Sequence, residues 1–459
     1  MTITLNDIFN LKGSTIYNPD NFKAVSKVSI DSRTIKKNSL YVALKGNRFD
    51  GHKFVDAAIL KGASAVLINK RKFKEFQNLD CTIIVVPNTT YAYGELGAAY
   101  RRKFKGEVIS ITGSNGKTTT KEILATILDE KFKTEKTIAN NNNHIGIPQT
   151  ILATKRNTEK LVLEHGTNHF DEIKYTAKIA KPDYAVITNV ADSHLEYLID
   201  KGGVYREKDA LFVETLENGG TIFVNNDDPI IKYQTQRVKK KISFGFKGKP
   251  EIKGRIEGFT PDGRTKLSVE YSNKKVVANL PLYGISNAQN TLTAVGIAMH
   301  LGVPNTRIKK GISKLKQVKG RLYVESLSDL ILIDDTYNSN PASVEAAIDL
   351  VKKIKTYSKK TLILGDMFEL GENAELIHAH LADLILKSKI QNVFMHGKLM
   401  KSLSAKLENK KTNSQHFATR KLLKDFIDKN SFDGQVVLIK GSRGMQMEVF
   451  IEQIRSKAK

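Results

Sequence analysis

A glycine-rich run, TGSNGKTTTK, begins at residue 112 and combines the residue types that bind phosphate. Glycines let backbone N–H groups approach phosphate oxygens, and a helix starting directly after the run adds positive partial charge. Lys117 can reach the terminal phosphates, and the Thr118 hydroxyl can bind Mg²⁺. An ordinary Gly/Asn turn before a helix is the alternative. The spacing predicts an ATP site formed by Gly113, Ser114, Asn115, Gly116, Lys117, Thr118 and Thr119.

The run departs from the longer form of the phosphate-binding pattern. That form has a glycine five positions before Gly116, where this chain has Ile111. Only G-x-x-G-K-T is present. Its setting is nevertheless the required one, since an apolar run at residues 107–112 precedes it and a helical pattern follows.

Polar residues also follow the apolar runs of the last third of the chain. They lie at positions 334–335, 365–366, 396–397 and 440–443. Ligands of open α/β sheets bind outside the carboxyl ends of the strands. The pattern therefore predicts a second open sheet whose polar groups gather at one edge.

Three blocks of apolar pattern position these residues. Short runs such as SLYVALKG and CTIIVV fill the first block, and a helix is expected over residues 89–105. Runs such as YAVITN and TIFVNN alternate with helices in the second, and LILID, TLILG and VVLIKG do so in the third. We predict an α/β protein of three domains: residues 1–100, a central P-loop-type parallel-sheet ATPase domain at 101–318, and a Rossmann-like open-sheet domain at 319–459.

Composition describes an ordinary globular chain. Of 459 residues, 40% are hydrophobic and 26% charged, and no apolar run is long enough to span a bilayer. Cys81 is the only cysteine, which excludes an intrachain disulfide, and the N-terminus lacks the pattern of a signal peptide. We expect a soluble, cytoplasmic protein with no membrane insertion.

The net charge of +25 leaves two interpretations open. A basic surface suits nucleic-acid binding. A lysine-rich solvated surface, with anionic substrates, is the interpretation we favour. The lysines are scattered and carry no interleaved aromatic residues, so we expect no nucleic-acid partner.

The loop resembles that of the Mur ligase superfamily, and the resemblance continues along the chain. The run IDSRTIKKNSLYVALKG (30–46) is similar to the family's uridine-nucleotide domain. Runs similar to its central domain are ANNNNHIGIP (139–148), EHGTN (164–168), TNVADSHLE (188–196), GISNAQNTLTA (284–294) and KGR (319–321). The last block, with DDTYNSNPAS (334–343), LGDMFELG (364–371) and KGSRGMQME (440–448), resembles the branch that adds D-alanyl-D-alanine. The Asp-Asn-Pro-Arg motif of the diaminopimelate-adding branch is missing.

The resemblance implies an ATP-dependent, amide-forming ligase of cytoplasmic peptidoglycan precursor synthesis. The carboxylate of UDP-N-acetylmuramoyl-tripeptide attacks the γ-phosphate, and the D-alanyl-D-alanine amine then attacks the acyl phosphate. Cations should dominate such a site. The three ligands would be bound by different domains, so chemistry should require domain closure. We expect a monomer.

The resemblance also implies roles for residues near the ATP. The catalytic set would be Lys117, Glu164, His194, Lys208 and Arg321, and the Mg²⁺ ligands Thr118, Glu164, His194 and Lys208. Asn287 and Asn290 would face the adenine, Arg321 the γ-phosphate and Asp335 the ribose. Structural roles are the alternative: a solvated strand-end Glu164, a structural His194, and capping or core contacts for the two asparagines.

Lys208 is implied to carry a carbamate, formed with CO₂, that acts as a Mg²⁺ ligand. The family pattern commonly has small residues before this lysine and Glu two positions after it. Here Tyr205, Arg206 and Glu207 precede it, and Ala210 takes the later position. A surface lysine on a charged helix is the alternative.

The remaining implied residues concern the substrates. Ser32, Arg33 and Lys45 are assigned to the nucleotide-sugar, since Arg and Lys suit a diphosphate. Asn142, Asn143 and Thr188 are assigned to the muramoyl-peptide, and Asn338, Asn340 and Arg443 to the incoming dipeptide.

Four other identities remain open. Two are relatives of the same superfamily, the diaminopimelate-adding ligase and a folate polyglutamylating enzyme. The third is a basic P-loop nucleic-acid ATPase, and the fourth a catalytically dead scaffold of wall assembly. The motifs at 334–343 and 364–371 argue against the first two, and the intact phosphate loop argues against the last.

Overall fold

The first domain carries a mixed sheet packed by short helices. The computed structural model describes residues 2–46 and 49–458. In this domain it has β1 (Thr15–Tyr17), β2 (Val28–Ser29), β3 (Ser39–Val42), β4 (Ala63–Asn69), β5 (Thr82–Val86), α1 (Leu5–Phe9), α2 (Val55–Leu60), α3 (Phe73–Phe76) and α4 (Thr89–Lys103). The strand order is β1-β5-β4-β3-β2, with β1 antiparallel and the other neighbours parallel.

The second domain surrounds a long sheet. Its strands are β6 (Glu107–Thr112), β7 (Thr134–Lys136), β8 (Lys160–Glu164), β9 (Tyr184–Ile187), β10 (Thr221–Asn225), β11 (Lys241–Gly245), β12 (Ile252–Phe259), β13 (Arg264–Tyr271) and β14 (Lys274–Tyr283). Its helices are α5 (Lys117–Leu128), α6 (Gly146–Ala153), α7 (Glu172–Ala180), α8 (Leu195–Leu198), α9 (Lys201–Glu217), α10 (Pro229–Gln234), α11 (Gly284–His300) and α12 (Asn305–Ser313). The strand order is β14-β13-β12-β11-β10-β9-β6-β8-β7.

This central sheet is parallel from β7 to β12, as predicted, but β13 and β14 extend it in antiparallel pairing. Short turns allow only antiparallel neighbours, whereas parallel strands need a long crossover. The β13–β14 turn contains Ser272 and Asn273, both with positive φ (+47° and +62°), which matches the twist of a tight hairpin.

The third domain is an open sheet covered on both faces. It has β15 (Tyr323–Leu327), β16 (Leu330–Asp335), β17 (Lys359–Gly365), β18 (Asn392–His396), β19 (Asn413–Phe417), β20 (Gln435–Lys440), α13 (Pro341–Lys353), α14 (Ala374–Lys387), α15 (Met400–Leu407), α16 (Arg420–Lys429) and α17 (Glu448–Lys457). The order is β15-β16-β20-β17-β18-β19, parallel except at β15. Separate apolar clusters fill the two faces, which is why the strands read as continuous apolar runs.

The predicted boundary at residue 100 falls within α4, which continues to Lys103. Tyr93 and Leu96 of this helix lie in one apolar cluster with Leu67 of the first domain and Ile147 of the second. The first two domains therefore share a core. The boundary at 318/319 falls in the segment between α12 and β15. Within the described residues, no helix is long and apolar enough to cross a membrane.

Candidate active site

A cavity of about 880 Å³ opens between the central and C-terminal domains. The carboxyl ends of β6, β8 and β9 reach it from one sheet, and those of β16 and β20 from the other. Two of the predicted strand-end pairs, at positions 365–366 and 396–397, do not line this cavity. The Asp366 carboxylate accepts a hydrogen bond from Met400 N (2.9 Å) at the start of α15, and His396 Nδ1 contacts Phe417 O (3.1 Å). Both therefore support the fold rather than the cavity.

The glycine-rich loop connects β6 to α5, as predicted. Gly113 (φ +146°) and Gly116 (φ +82°) adopt conformations that favour glycine. A Cβ at Gly113 would collide with the side chain of Thr188, and one at Gly116 with that of Asn290. Because α5 begins at Lys117, its N-terminal N–H groups face the loop. The loop has the shape and polarity of a phosphate cradle.

Hydrogen bonds from the loop after β9 hold this cradle. Thr188 Oγ1 donates to Asn115 O (2.6 Å), and Asn189 Oδ1 accepts from Asn115 N (3.0 Å). The Ser114 and Ser193 hydroxyls lie 2.9 Å apart. Thr188, which was assigned to the muramoyl-peptide, thus already uses its hydroxyl to hold the loop.

Lys117 folds back over the loop, and its Nζ donates to Gly113 O at 2.6 Å. Burial lowers the pKa of Lys117 to about 8, with nearby Arg321 acting in the same direction and Glu164 opposing it. The ammonium is held by a backbone carbonyl rather than by a carboxylate, so phosphate oxygens would be its strongest partners in the cavity.

Glu164 ends β8 and is only 2% exposed. Its Oε1 accepts from Thr118 Oγ1 (3.0 Å) and Asn142 Nδ2 (2.9 Å). Its Oε2 is buried and makes no hydrogen bond within the described residues. An unsatisfied carboxylate oxygen beside a hydroxyl is a donor set that suits a hard cation such as Mg²⁺. The residues present therefore fit the expected metal.

Lys121 is a member of this site that the sequence analysis missed. It is fully buried, its Nζ donates to Ala139 O (3.1 Å), and it lies 3.4 Å from Glu164 Oε2, at ion-pair distance but without hydrogen-bond geometry. The available signal was its position four residues after Lys117, on the same face of the helix. Lys121 partly neutralises the Glu164 carboxylate.

Asn142 and Asn143 have different surroundings. Asn142 contacts the Glu164 carboxylate inside the cavity. Asn143 Oδ1 accepts from Ile145 N (3.1 Å) and Gly146 N (2.9 Å) at the start of α6. The contacts of Asn143 are those of a helix-start residue, although it also lines the cavity.

Lys208 lies on α9 and is 1% exposed, so the alternative of a surface lysine is wrong. Burial lowers its pKa to about 7, with Lys117 acting in the same direction and Glu207 opposing it. Within the described residues it makes no hydrogen bond or ion pair. A buried amine with this surrounding is chemically suited to reaction with CO₂, which requires the unprotonated form.

The unusual neighbours of Lys208 have structural roles. The Glu207 carboxylate accepts from Asp171 N and Ile173 N, both at 2.7 Å, at the N-terminus of α7. Tyr205 donates to Asp209 Oδ1 (2.7 Å), and the Arg206 guanidinium lies 4.6 Å from the centre of the Phe170 ring. These contacts connect α9 to its surroundings, and none of the three residues forms a hydrogen bond or ion pair with Lys208.

His194 lines the cavity and has an unusual φ of +54°. Its Nδ1 lies 2.5 Å from Oε2 of Glu369, a residue of the C-terminal domain that the sequence analysis missed. The structure thus places His194 at the boundary between two domains.

Arg321 lies where the main cavity meets a second one of about 750 Å³, and it lines both. Its guanidinium lies 4.0 Å from the centre of the Tyr337 ring. Asn287 and Asn290 are buried on one face of α11; Asn290 Nδ2 contacts Asn287 Oδ1 (3.4 Å). Asn287 lines both cavities, whereas Asn290, close to Gly116, lines only the first. Asn287 is therefore the better placed of the two for a base in the second cavity.

Asp335 is held by an ion pair that sequence reasoning missed. Its Oδ2 lies 2.5 Å from Nζ of the buried Lys440, and its Oδ1 accepts from Leu322 N (3.0 Å). Lys440 also donates to Asn338 O (2.9 Å). Asp334 accepts from Thr336 and Gly320, which makes it a structural strand-end carboxylate.

The candidates for the incoming dipeptide lie around the start of α13. Asn340 caps this helix through Ser343 N (2.9 Å) and also pairs with Asn115 of the phosphate loop, donating from Nδ2 to Asn115 Oδ1 (2.9 Å). Asn338 is exposed, and Arg443 is exposed and contacts Glu448 Oε1 (3.1 Å). All three line the cavity.

Ser32, Arg33 and Lys45 lie in the first domain, away from the residues that line the two cavities. Ser32 is buried, and Arg33 is exposed with a bidentate contact to Asp31. The backbone of Lys45 forms an isolated antiparallel β-bridge with that of Asp50. The two basic side chains are compatible with an anion-binding role in this domain.

Comparison with known proteins defines the class to which this fold and site belong. Three family models match: the Mur ligase family catalytic domain at residues 24–101, the Mur ligase middle domain at 111–298, and the Mur ligase glutamate ligase domain at 320–443. The chain belongs to the Mur ligase family.

Its relatives within the family carry one particular name. The chain is 33% identical over 455 residues to the UDP-N-acetylmuramoyl-tripeptide--D-alanyl-D-alanine ligase of Bacillus subtilis (strain 168), covering 98% of both chains. It is 31% identical to the protein of that name from Escherichia coli (strain K12), covering 98% of this chain and 97% of the other.

Solved structures agree. A crystal structure of MurF from Acinetobacter baumannii superposes with a TM-score of 0.88 at 28% identity, covering 99% of both chains. MurF ligase from Thermotoga maritima in complex with ADP gives 0.82 at 26% identity, covering 94% of this chain and 97% of the other.

Proposed function

We propose that this protein joins D-alanyl-D-alanine to UDP-N-acetylmuramoyl-tripeptide at the expense of ATP, in peptidoglycan precursor synthesis. The observation that carries this is end-to-end similarity to ligases of that name, at 30–35% identity, with motif residues of the central and C-terminal domains lining one cavity. ATP as the nucleotide is supported by the phosphate loop and by the similar Thermotoga ligase, solved with ADP. The site of action is the cytoplasm.

The first step forms an acyl phosphate. A carboxylate oxygen of the tripeptide bonds to the γ-phosphorus, and the bond from that phosphorus to the β–γ bridging oxygen breaks, which releases ADP. Backbone N–H groups of the loop, Lys117 and Arg321 neutralise the charge that moves between these oxygens. Mg²⁺, held by Thr118 and Glu164 with His194 and Lys208 as further candidates, would supply additional neutralisation.

The second step forms the amide. The D-alanyl-D-alanine nitrogen bonds to the acyl carbon, phosphate leaves, and the nitrogen releases its extra proton. Asn338, Asn340 and Arg443 line the cavity from the C-terminal domain and are assigned to the dipeptide. The nucleotide-sugar is assigned to Ser32, Arg33 and Lys45 of the first domain.

Lys208 acts as a carbamate in this proposal. The ammonium first loses a proton; the neutral nitrogen then bonds to the carbon of CO₂, one C=O bond opens to leave a negative oxygen, and the nitrogen releases a second proton. The loss of two protons in all converts a cation into a carboxylate-like anion. Its complete burial and its lack of a partner among the described residues support this assignment. The structural roles of Glu207 and Tyr205 account for the departure from the family pattern.

Phosphate release by the purified protein tests the function. The reaction contains ATP, Mg²⁺ and UDP-N-acetylmuramoyl-tripeptide, with or without D-alanyl-D-alanine. We expect phosphate and a pentapeptide product only with the dipeptide. Turnover with UDP-N-acetylmuramoyl-dipeptide and a diamino acid instead would assign the protein to the sister reaction. No phosphate release with either substrate set would contradict the proposed substrates.

A further inference from the structure

A contact between a histidine and a carboxylate connects the central and C-terminal domains at the edge of the main cavity. His194 belongs to the central domain and Glu369 to the C-terminal domain, and Nδ1 of the first lies 2.5 Å from Oε2 of the second. Within the described residues Nδ1 makes no hydrogen bond, so Oε2 of Glu369 is the carboxylate oxygen that this buried nitrogen faces. Both residues line the cavity.

His194 and Glu369 both have an uncommon backbone conformation. His194 has φ +54° and Glu369 has φ +62°, values that are uncommon outside glycine. Directly after His194, Glu196 N donates to Glu369 O (3.3 Å). A side-chain contact and a main-chain contact therefore join the same two segments, and neither can form unless the two domains meet.

The chemistry of the pair determines what His194 can do. A carboxylate at Nδ1 sets the tautomer and the orientation of an imidazole and leaves Nε2 for a ligand. Within the described residues, Nε2 of His194 has no hydrogen-bond partner.

We propose that Glu369 is a positioning residue, which orients His194 toward the cavity only when the C-terminal domain has closed onto the central domain. The inference rests on the proposed function, and it adds a link between domain closure and the competence of the site. A second contact, between Asn115 and Asn340, forms in the same arrangement and brings the phosphate loop to the C-terminal domain.

Nitrogen NMR of histidine-labelled, full-length protein tests the contact directly. Spectra are recorded with and without an ATP analogue and both substrates, and His194 is assigned with His194→Gln. We expect wild-type His194 to carry its proton on Nδ1 next to a carboxylate, and this signature to be lost in Glu369→Ala. The matched control is Glu372→Ala, an exposed glutamate of the same segment, which should leave the signal unchanged. A His194 signal identical in Glu369→Ala and wild type, in both conditions, would overturn the proposal.

Steady-state kinetics test the consequence. In Glu369→Gln, which keeps the size of the side chain, we expect kcat to fall roughly 10- to 100-fold. The KM values for ATP and for the UDP-linked substrate should change less than twofold, because Glu369 acts through His194. Glu372→Gln should behave as wild type, and thermal unfolding verifies that each variant is folded. An unchanged kcat, or a rise in KM alone, would contradict the role.

The two hypotheses fail separately. Wild-type turnover with the named substrates decides the proposed function, whereas the difference in the His194 spectrum between wild type and Glu369→Ala, recorded in the presence of the ligands, needs binding and no turnover. An altered spectrum without turnover would retain the pair and reject the reaction.

Discussion

Lys208 is a buried lysine near the phosphate loop whose proposed role depends on its surroundings. It has no partner among the described residues and a pKa lowered to about 7, chiefly by burial. Burying an amine without a partner costs free energy, so a lysine in such a position favours a functional role. Its surroundings therefore favour modification by CO₂ over a structural ion pair.

Substituting Lys208 by Arg tests that role. Arg keeps a cation but cannot form a carbamate, so we expect kcat to fall at least about 100-fold. Carbon NMR with labelled bicarbonate should show a carbamate signal in wild type that is missing in Lys208→Arg. The control is Lys201→Arg at the exposed start of the same helix, where the ion pair with Asp192 can persist. Full activity in Lys208→Arg would reject the carbamate.

Buried histidines make the stability of the protein depend on pH. His165 is fully buried between the hydroxyls of Thr176 and Ser110, and burial lowers its pKa to about 3. Below pH 6.5 the unfolded chain binds a proton that folded His165 does not. Its contribution to stability is therefore present above pH 6.5 and is lost as pH falls toward 3.

Urea unfolding between pH 7.5 and 5 measures this loss. We expect His165→Gln to be less stable than wild type at pH 7.5 but to lose less stability on acidification, by up to about 1.4 kcal/mol per pH unit. Substitution of the exposed His380 by Gln should leave the wild-type slope in place. Equal slopes in wild type and His165→Gln would refute the assignment.

At the scale of elements, the strand–loop–helix unit of β6 and α5 is specified by backbone geometry. Gly116 combines a left-handed conformation with a close approach to Asn290. A second glycine, Gly219, has a similar φ (+76°), but no atom lies within 4 Å of the position that a Cβ would take there. A substitution at Gly219 therefore tests backbone strain alone, whereas one at Gly116 tests backbone strain together with a steric clash.

Gly116→Ala should weaken ATP binding at least about tenfold, because the new methyl group displaces Asn290 and distorts the cradle. Titration calorimetry with ATP measures the affinity. In Gly219→Ala we expect a loss of about 1–2 kcal/mol of stability and no change in ATP affinity. Equal effects of the two substitutions on ATP binding would show that close approach is irrelevant.

On the scale of the whole molecule, the two domain boundaries differ in kind. The first and second domains share one apolar cluster around α4. Beside the phosphate loop, polar contacts join the C-terminal domain to the central domain: the Asn115–Asn340 amide pair, the His194–Glu369 side-chain contact and the hydrogen bond from Glu196 N to Glu369 O. Away from the loop, Tyr283 of the central domain packs against the C-terminal core. Polar contacts of this kind form and break at low cost, so the C-terminal domain is the part expected to move.

Small-angle scattering tests this motion. We expect a smaller radius of gyration with an ATP analogue plus both substrates than without them, and a loaded particle that matches the domain arrangement described above. The free protein is the reference in the same buffer. An identical radius of gyration in the two states would disprove closure.

Local sequence determined the parts of this protein that depend on neighbouring residues. Glycine, lysine and threonine in TGSNGKTTTK predicted the phosphate cradle, because one turn and one helix start create it. Continuous apolar runs predicted three α/β domains, because buried parallel strands need apolar residues on both faces.

Tertiary structure decided what depends on distant residues. The charged sequence around Lys208 resembles a surface helix, and only the packing of α9 shows that this lysine is buried. The Asp335–Lys440 and His194–Glu369 pairs join residues far apart in the chain. Such contacts follow from how the sheets and domains meet, which residue spacing does not encode.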